Sequence, residues 1–128
     1  MTALLDTHTL IWAIYSPKLL SRKAAKILVD GDNVLLVSAA SAWEIATKVR
    51  LGRLPEATVL ELNFLDDIKA AGYFQRGVSV EDGLRAGRLT GAHQDPFDRM
   101  IAAQALADDI PVISVDAKLD LFGVRRIW

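Results

Sequence analysis

Asp6 and Asp116 each directly follow a short apolar run, Thr2 to Leu5 and Pro111 to Val115, of the kind that forms a buried strand. Glu44 falls in the first turns of a helix that follows a third such run, Val34 to Val37, and Asp95 with Asp98 opens a further helix. In a parallel α/β sheet the C-terminal strand ends and the N-terminal helix ends share one rim, so this spacing sends all of these carboxylates to one place. Carboxylates brought together repel, and some keep their protons unless a cation neutralises them. An all-oxygen cluster suits Mg2+ or Mn2+. A divalent pair about 4 Å apart can polarise a phosphodiester, activate a water and stabilise the leaving oxygen, so the chemistry suited to this pattern is metal-assisted hydrolysis.

Each acid also has a purely structural use. Asp6 can cap the helix that starts after it, and Glu44 stands three residues after Ser41, the spacing of a capping box. Asp95-Pro96 reads as an N-cap followed by proline at the first helical position, and Asp98 in that first turn favours the helix dipole. Asp116 can cap a short turn from Ala117 to Leu121. Four caps converging on one rim are less expected than one shared task, and an acid can cap and coordinate at once.

The elements that would carry these residues alternate strand and helix. After the first strand come helices over Thr9 to Tyr15 and Ser21 to Val29, broken at Ser16-Pro17. The strand Val34 to Val37 leads into a helix from Ala40 to Leu51 that ends at Gly52. Leu60, Leu62, Leu65 and Ile68 are spaced for one helix stopped at Gly72, and Val78 to Val80 is the candidate third strand. Helices over Glu81 to Leu89 and Phe97 to Ala107 follow, then the strands Pro111 to Val115 and Val124 to Trp128. The alternation predicts an α/β fold with a mainly parallel central sheet. No repeat, linker or low-complexity segment divides residues 1–128, which read as a single domain.

Composition narrows the function further. Hydrophobic residues make up 52% of the 128 residues and charged ones 24%, a balance that supports a folded core rather than a disordered chain. The absence of cysteine excludes disulfides, iron-sulfur clusters, thiolate zinc sites and a cysteine nucleophile. With only two histidines, His8 and His93, a hard cation held by oxygen is favoured over a softer metal. The net charge of −1 lacks the overall basic excess of proteins that hold long nucleic acid by counterion release alone. Basic residues cluster locally at Lys18, Arg22, Lys23 and Lys26 and again at Lys48, Arg50 and Arg53, as solvated helix faces commonly do. Neither a secretion signal nor an apolar run long enough to span a membrane is visible, so a cytoplasmic location is expected.

Leu4-Leu5-Asp6-Thr7-His8, Ser38-Ala39-Ala40-Ser41-Ala42-Trp43-Glu44-Ile45-Ala46, His93-Gln94-Asp95-Pro96-Phe97-Asp98-Arg99-Met100-Ile101-Ala102-Ala103-Gln104-Ala105 and Val112-Ile113-Ser114-Val115-Asp116 occur in that order along nearly the whole chain. In these segments the sequence closely resembles the PIN-domain ribonucleases, specifically the VapC-type toxins of bacterial toxin-antitoxin pairs. The third segment is specific, and the ordered set is strong. The resemblance implies a three-layer α/β/α sandwich and an acidic metal site at Asp6, Glu44, Asp98 and Asp116, with Asp95 in support. It further implies RNA hydrolysis with Mg2+ or Mn2+, leaving 5′-phosphate and 3′-hydroxyl ends, as well as a homodimer and inhibition by a cognate antitoxin. Ser114 stands where threonine is frequent in the family, and a hydroxyl is retained. Ser114 or Thr7 would orient water or phosphate.

Arg99 can pair with a nearby acid, the favoured use, or contact phosphate. Trp12 and Trp43 are expected in the core or at a dimer contact, and the leucine-rich stretch Leu51 to Leu65 either packs internally or forms a groove for an antitoxin helix. A route through the RNA 2′-hydroxyl would need His8 and His93 together and is disfavoured. Receiver domains and haloacid-dehalogenase-like phosphatases fit badly, because Thr7 and His8 follow Asp6 where those need further acids. The remaining alternative is a non-catalytic RNA- or protein-binding module on the same fold.

Overall fold

A computed structural model describes all residues, Met1 to Trp128. Five strands, β1 (Thr2–Leu5), β2 (Val34–Ser38), β3 (Phe74–Arg76), β4 (Val112–Ile113) and β5 (Arg126–Ile127), form one sheet in the order β3-β2-β1-β4-β5. Every neighbouring pair is parallel, with Leu5 opposite both Val37 of β2 and Ile113 of β4. The chain builds outward from β1 through β2 to β3 and then crosses back to β4. The strand order therefore reverses beside β1, and in open α/β sheets ligands bind in the crevice at such a point.

Seven α-helices cover the sheet: α1 (Thr7–Tyr15), α2 (Arg22–Val29), α3 (Ala39–Arg50), α4 (Thr58–Leu62), α5 (Phe64–Ala70), α6 (Val80–Arg88) and α7 (Pro96–Asp108). Alternation along β1 divides the core into two layers. Ala3 and Leu5 join Leu10, Ile11, Ile45 and Leu60 on one side. Leu4 faces Ile101, Ala102 and Ala105 of α7 on the other. Small side chains let α7 lie close on the sheet, and Ala102, Ala103 and Ala105 are all buried. The result is a three-layer α/β/α sandwich around a parallel sheet. No helix is long and apolar enough to cross a membrane.

Local chemistry sets the helix starts. Asp6, Ser21, Ser38, Ser79 and Asp95 each cap a helix by accepting a backbone amide. Ser79 and Asp82 form a reciprocal capping box at α6. Glu44 does not take part in one, because the cap of α3 is Ser38, accepting the Ala40 amide, and Ser41 lies inside the helix.

Two expectations are corrected. The third strand is Phe74–Arg76 rather than Val78 to Val80: Val78 is in the loop and Val80 begins α6, both exposed. Arg76 anchors that edge strand through Asp82 of α6 and Asp108 of α7, each at 2.8 Å. The single helix expected across Leu60 to Ile68 is two, α4 and α5, separated at Asn63, with Leu60 and Ile68 buried and Leu62 and Leu65 exposed.

Candidate metal centre

At the end of β1 the chain turns directly into α1, which makes Asp6 both a strand-end residue and the N-cap of a helix. The residue is 6% exposed. Oδ1 accepts the Thr7 amide at 2.8 Å, and Oδ2 accepts the Ser114 hydroxyl at 2.6 Å. Burial pushes Asp6 above the ordinary carboxylate range, against these two hydrogen bonds, and the charge of Glu44 adds to the rise.

Glu44, 5% exposed on α3, faces the start of α1. The Thr7 hydroxyl donates to Glu44 Oε1 at 2.6 Å and lies 3.0 Å from Ser41 Oγ. Glu44 Oε2 accepts from the Lys48 ammonium one helical turn on. Burial works to lower the Lys48 pKa, but the Glu44 hydrogen bond and charge, followed by the charges of Asp95 and Asp98, outweigh it and raise it.

The third contribution comes from the loop before α7 and from that helix's first turn. Asp95 Oδ1 accepts the amides of Phe97 and Asp98 at 2.9 and 3.0 Å, which fixes the helix start. Asp98 Oδ2 lies 2.7 Å from His93 Nε2. Burial raises Asp98 to about 6; the His93 hydrogen bond opposes this, and the charges of Asp6, Asp95 and Glu44 reinforce it. At the end of β4, Ser114 Oγ also accepts the Asp116 amide at 3.0 Å, and Asp116 Oδ1 caps the 3-10 turn Ala117–Phe122 through the Lys118 amide at 3.0 Å.

These elements enclose a cleft of about 180 Å3 into which Asp6, Glu44, Asp95, Asp98 and Asp116 all open. The two lysines that share it, Lys48 and Lys118, leave the acids in excess. Donor atoms of His93, Asp98 and Asp116 lie within 4.8 Å of one another, close enough to hold one ion. Two carboxylates and an imidazole, in a cleft where burial already disfavours the ionised acids, fit a divalent cation.

All four acids expected at the site therefore reach one cleft, with Asp95 beside them and Thr7 and Ser114 as hydroxyl supports. Arg99 neither pairs with an acid nor faces the cleft. Its guanidinium donates to the carbonyls of Ala86 (3.2 Å), His93 (3.0 Å) and Leu89, and lies 5.6 Å from the Phe122 ring centroid. It ties the end of α6 and the loop to α7, because the last carbonyls of a helix lack partners within it. Trp43 is 58% exposed and so is not a core residue, whereas half-buried Trp12 packs against the core and Trp128.

Sequence reasoning did not assign His93 to the ion site or Lys48 to Glu44. The signals were present in the separation of five positions between His93 and Asp98 and of four between Glu44 and Lys48.

A parallel α/β/α sandwich with an acidic cleft at its strand-order reversal defines a class of domain whose ligand site lies in that crevice. The particular family is settled by sequence: the PIN domain model matches residues 3–124, and the chain belongs to that family. A sequence comparison with curated proteins finds no match. Among solved structures, the chain is similar to one in the crystal structure of VapBC2 from Rickettsia felis bound to a DNA fragment from its promoter. The TM-score is 0.69 at 17% identity, over 99% of this chain and 98% of that one. At this identity the likeness speaks for the fold.

Proposed function

We propose that the protein is a Mg2+- or Mn2+-dependent endoribonuclease toxin of the VapC type, acting in the cytoplasm as a homodimer and held inactive by a cognate antitoxin. The observation that carries this reading is the convergence of Asp6, Glu44, Asp98 and Asp116, from four separate elements, on one cleft with the donors of a cation site. Membership of the PIN family supports a nuclease, and likeness to a chain from a VapBC2 complex supports a toxin with a protein partner.

Asp98 and Asp116, with His93 beside Asp98 and Asp6 lining the same cleft, would hold the cation. When bound, the ion supplies charge that polarises the phosphodiester and makes the attacking water more acidic. The protein's own residues keep that arrangement in place. Ser114 holds Asp6 and the Asp116 backbone together, Thr7 holds Glu44, and His93 orients Asp98. Such preorganisation matters because donors fixed before reaction need no reorganisation during it.

The partner surface fits the same reading. Beside Trp43 on α3, a groove of about 270 Å3 lined by Ala42, Ile45, Ala46, Phe64 and Leu65 is apolar except for Glu61. An apolar helix face of an antitoxin would suit it.

The test is incubation of the purified, partner-free chain with total RNA, with Mg2+ or Mn2+ and with chelator, beside Asp6→Asn. Cleavage that needs the metal and is lost in the variant is expected. No cleavage under any metal, with both proteins folded, would favour a non-catalytic binding module on this fold.

A further inference from the structure

Glu44 is the one acid of the cleft whose charge already has a full partner. Both of its oxygens are engaged, Oε1 by the Thr7 hydroxyl and Oε2 by the Lys48 ammonium. Resting on the metal-nuclease reading, we propose that Lys48 is the built-in second cation of the site: its ammonium occupies the Glu44 carboxylate, so that the cleft takes one divalent ion rather than two.

A Glu and a Lys four residues apart on a helix often form a solvated surface pair of little consequence. This pair differs in three respects. The Glu44 side chain is 6% exposed, so its charge needs a fixed partner and not a mobile one. The Lys48 ammonium is also placed from the opposite helix, lying 5.8 Å from the ring centroid of Phe97 on α7. Phe97 in turn meets Trp43 edge-on at 4.7 Å, so the ring beside the ammonium is itself held. Finally, Lys48 opens into the same cleft as Asp95 and Asp98, where a lone surface pair would face water.

The consequence is a division of labour. Asp98 and Asp116 are left to an exchangeable ion, while Glu44 anchors a permanent positive charge that does not depend on metal supply. In a site with two divalent ions both flank the reacting phosphate. Here an ammonium carried by the protein stands at one side, and Glu44 acts through Lys48 as a positioning residue.

The test counts ions without RNA. The purified chain is titrated with Mn2+ alone, and free Mn2+ is read by its electron paramagnetic resonance signal, for the parent, Lys48→Met and the double variant Lys48→Met with Glu44→Gln. Thermal melts followed by circular dichroism accompany each variant. One Mn2+ per chain is expected in the parent, two in Lys48→Met, where Glu44 is released, and one again in the double variant. Two ions in the parent, one in folded Lys48→Met, or two in the double variant would each overturn the proposal. A parent that binds none would overturn it together with the metal-nuclease reading, which separates the two failures.

Discussion

Ser114 donates its hydroxyl to Asp6 Oδ2 over 2.6 Å, joining residues 108 apart in sequence at the ends of the adjacent strands β1 and β4. Ser114 Oγ in turn accepts the Asp116 amide at 3.0 Å, so one fully buried side chain sets the spacing of two acids. Removing it leaves a buried carboxylate one donor short. Ser114→Ala is expected to lose about 1–3 kcal/mol of stability, the usual cost of a hydrogen bond to a charged group. Urea unfolding in chelator measures this, and a midpoint unchanged from the parent would contradict the bracing role.

The pH dependence of the metal-free protein follows from Asp98. Its pKa of about 6 lies above the ordinary 3.8, so between those values the folded chain holds a proton that the unfolded chain has released. Stability contributed by this group therefore falls as pH rises from about 4 to about 6, by up to roughly 2 kcal/mol, and stays low above that window. Asp98→Asn should flatten that part of the profile and be more stable than the parent at pH 7 in chelator. Urea midpoints at pH 4, 5, 6 and 7 check both statements; an equal or steeper fall in the variant would contradict them.

Arg99 serves the site at a distance. By holding the carbonyls of Ala86, Leu89 and His93, it fixes the loop that presents His93, a loop that turns at Gly91 with a φ of 124°, open chiefly to glycine. Arg99→Met keeps the stem and removes the donors. Amide hydrogen exchange across residues 89–94 should accelerate while β1 and β4 stay protected, with a stability loss of about 1–3 kcal/mol. Unchanged exchange in the loop would sink the assignment.

Asp95 separates capping from coordination. Its two amide contacts predict that Asp95→Ala loses about 1 kcal/mol and that Asp95→Ser, another good cap, recovers most of it. If capping is its whole role, Mn2+ affinity in Asp95→Ser should stay within about tenfold of the parent, the effect of one nearby charge. Complete loss of binding in the folded serine variant would make Asp95 a ligand.

The sequence made the buried centre of the sheet legible for a physical reason. β1 and β2 are covered on both faces, so both read as continuous apolar runs, and the acids that follow them mark the rim. Caps were equally legible at Ser21 and Asp95, because a cap is a local rule. β3 was not. As an edge strand it exposes Phe74 and Gln75 and is held by Arg76 reaching to Asp82 and Asp108, a tertiary arrangement that leaves no apolar run, while the nearby valines lie outside the sheet. The break at Asn63 escaped for a related reason: leucines recur across it at helical spacing, yet Leu62 and Leu65 point to solvent and Leu60 and Ile68 to the core.

At the site, strand ends and helix starts placed Asp6, Glu44, Asp98 and Asp116 from sequence, since topology alone brings them to one edge. The partner of Glu44 was not readable. Whether Glu44 meets a capping amide or the Lys48 ammonium depends on where α3 begins, and that start is set by Ser38 rather than Ser41. Arg99 was misread because its neighbours in sequence are acids, whereas its neighbours in space are unpartnered carbonyls at the end of α6.

The central claim is cation-assisted hydrolysis by water, and the chemistry of the cut ends tests it most directly. Both His8 and His93 open into the cleft, so the same RNA could be cut through its own 2′-hydroxyl by histidine acid-base chemistry. Fragments made by the purified chain with Mg2+ or Mn2+ should carry 5′-phosphate and 3′-hydroxyl ends, and none should form with chelator or in Asp98→Asn. Fragments with 2′,3′-cyclic phosphates that persist in chelator, and that vanish in His93→Gln but not in Asp98→Asn, would contradict it.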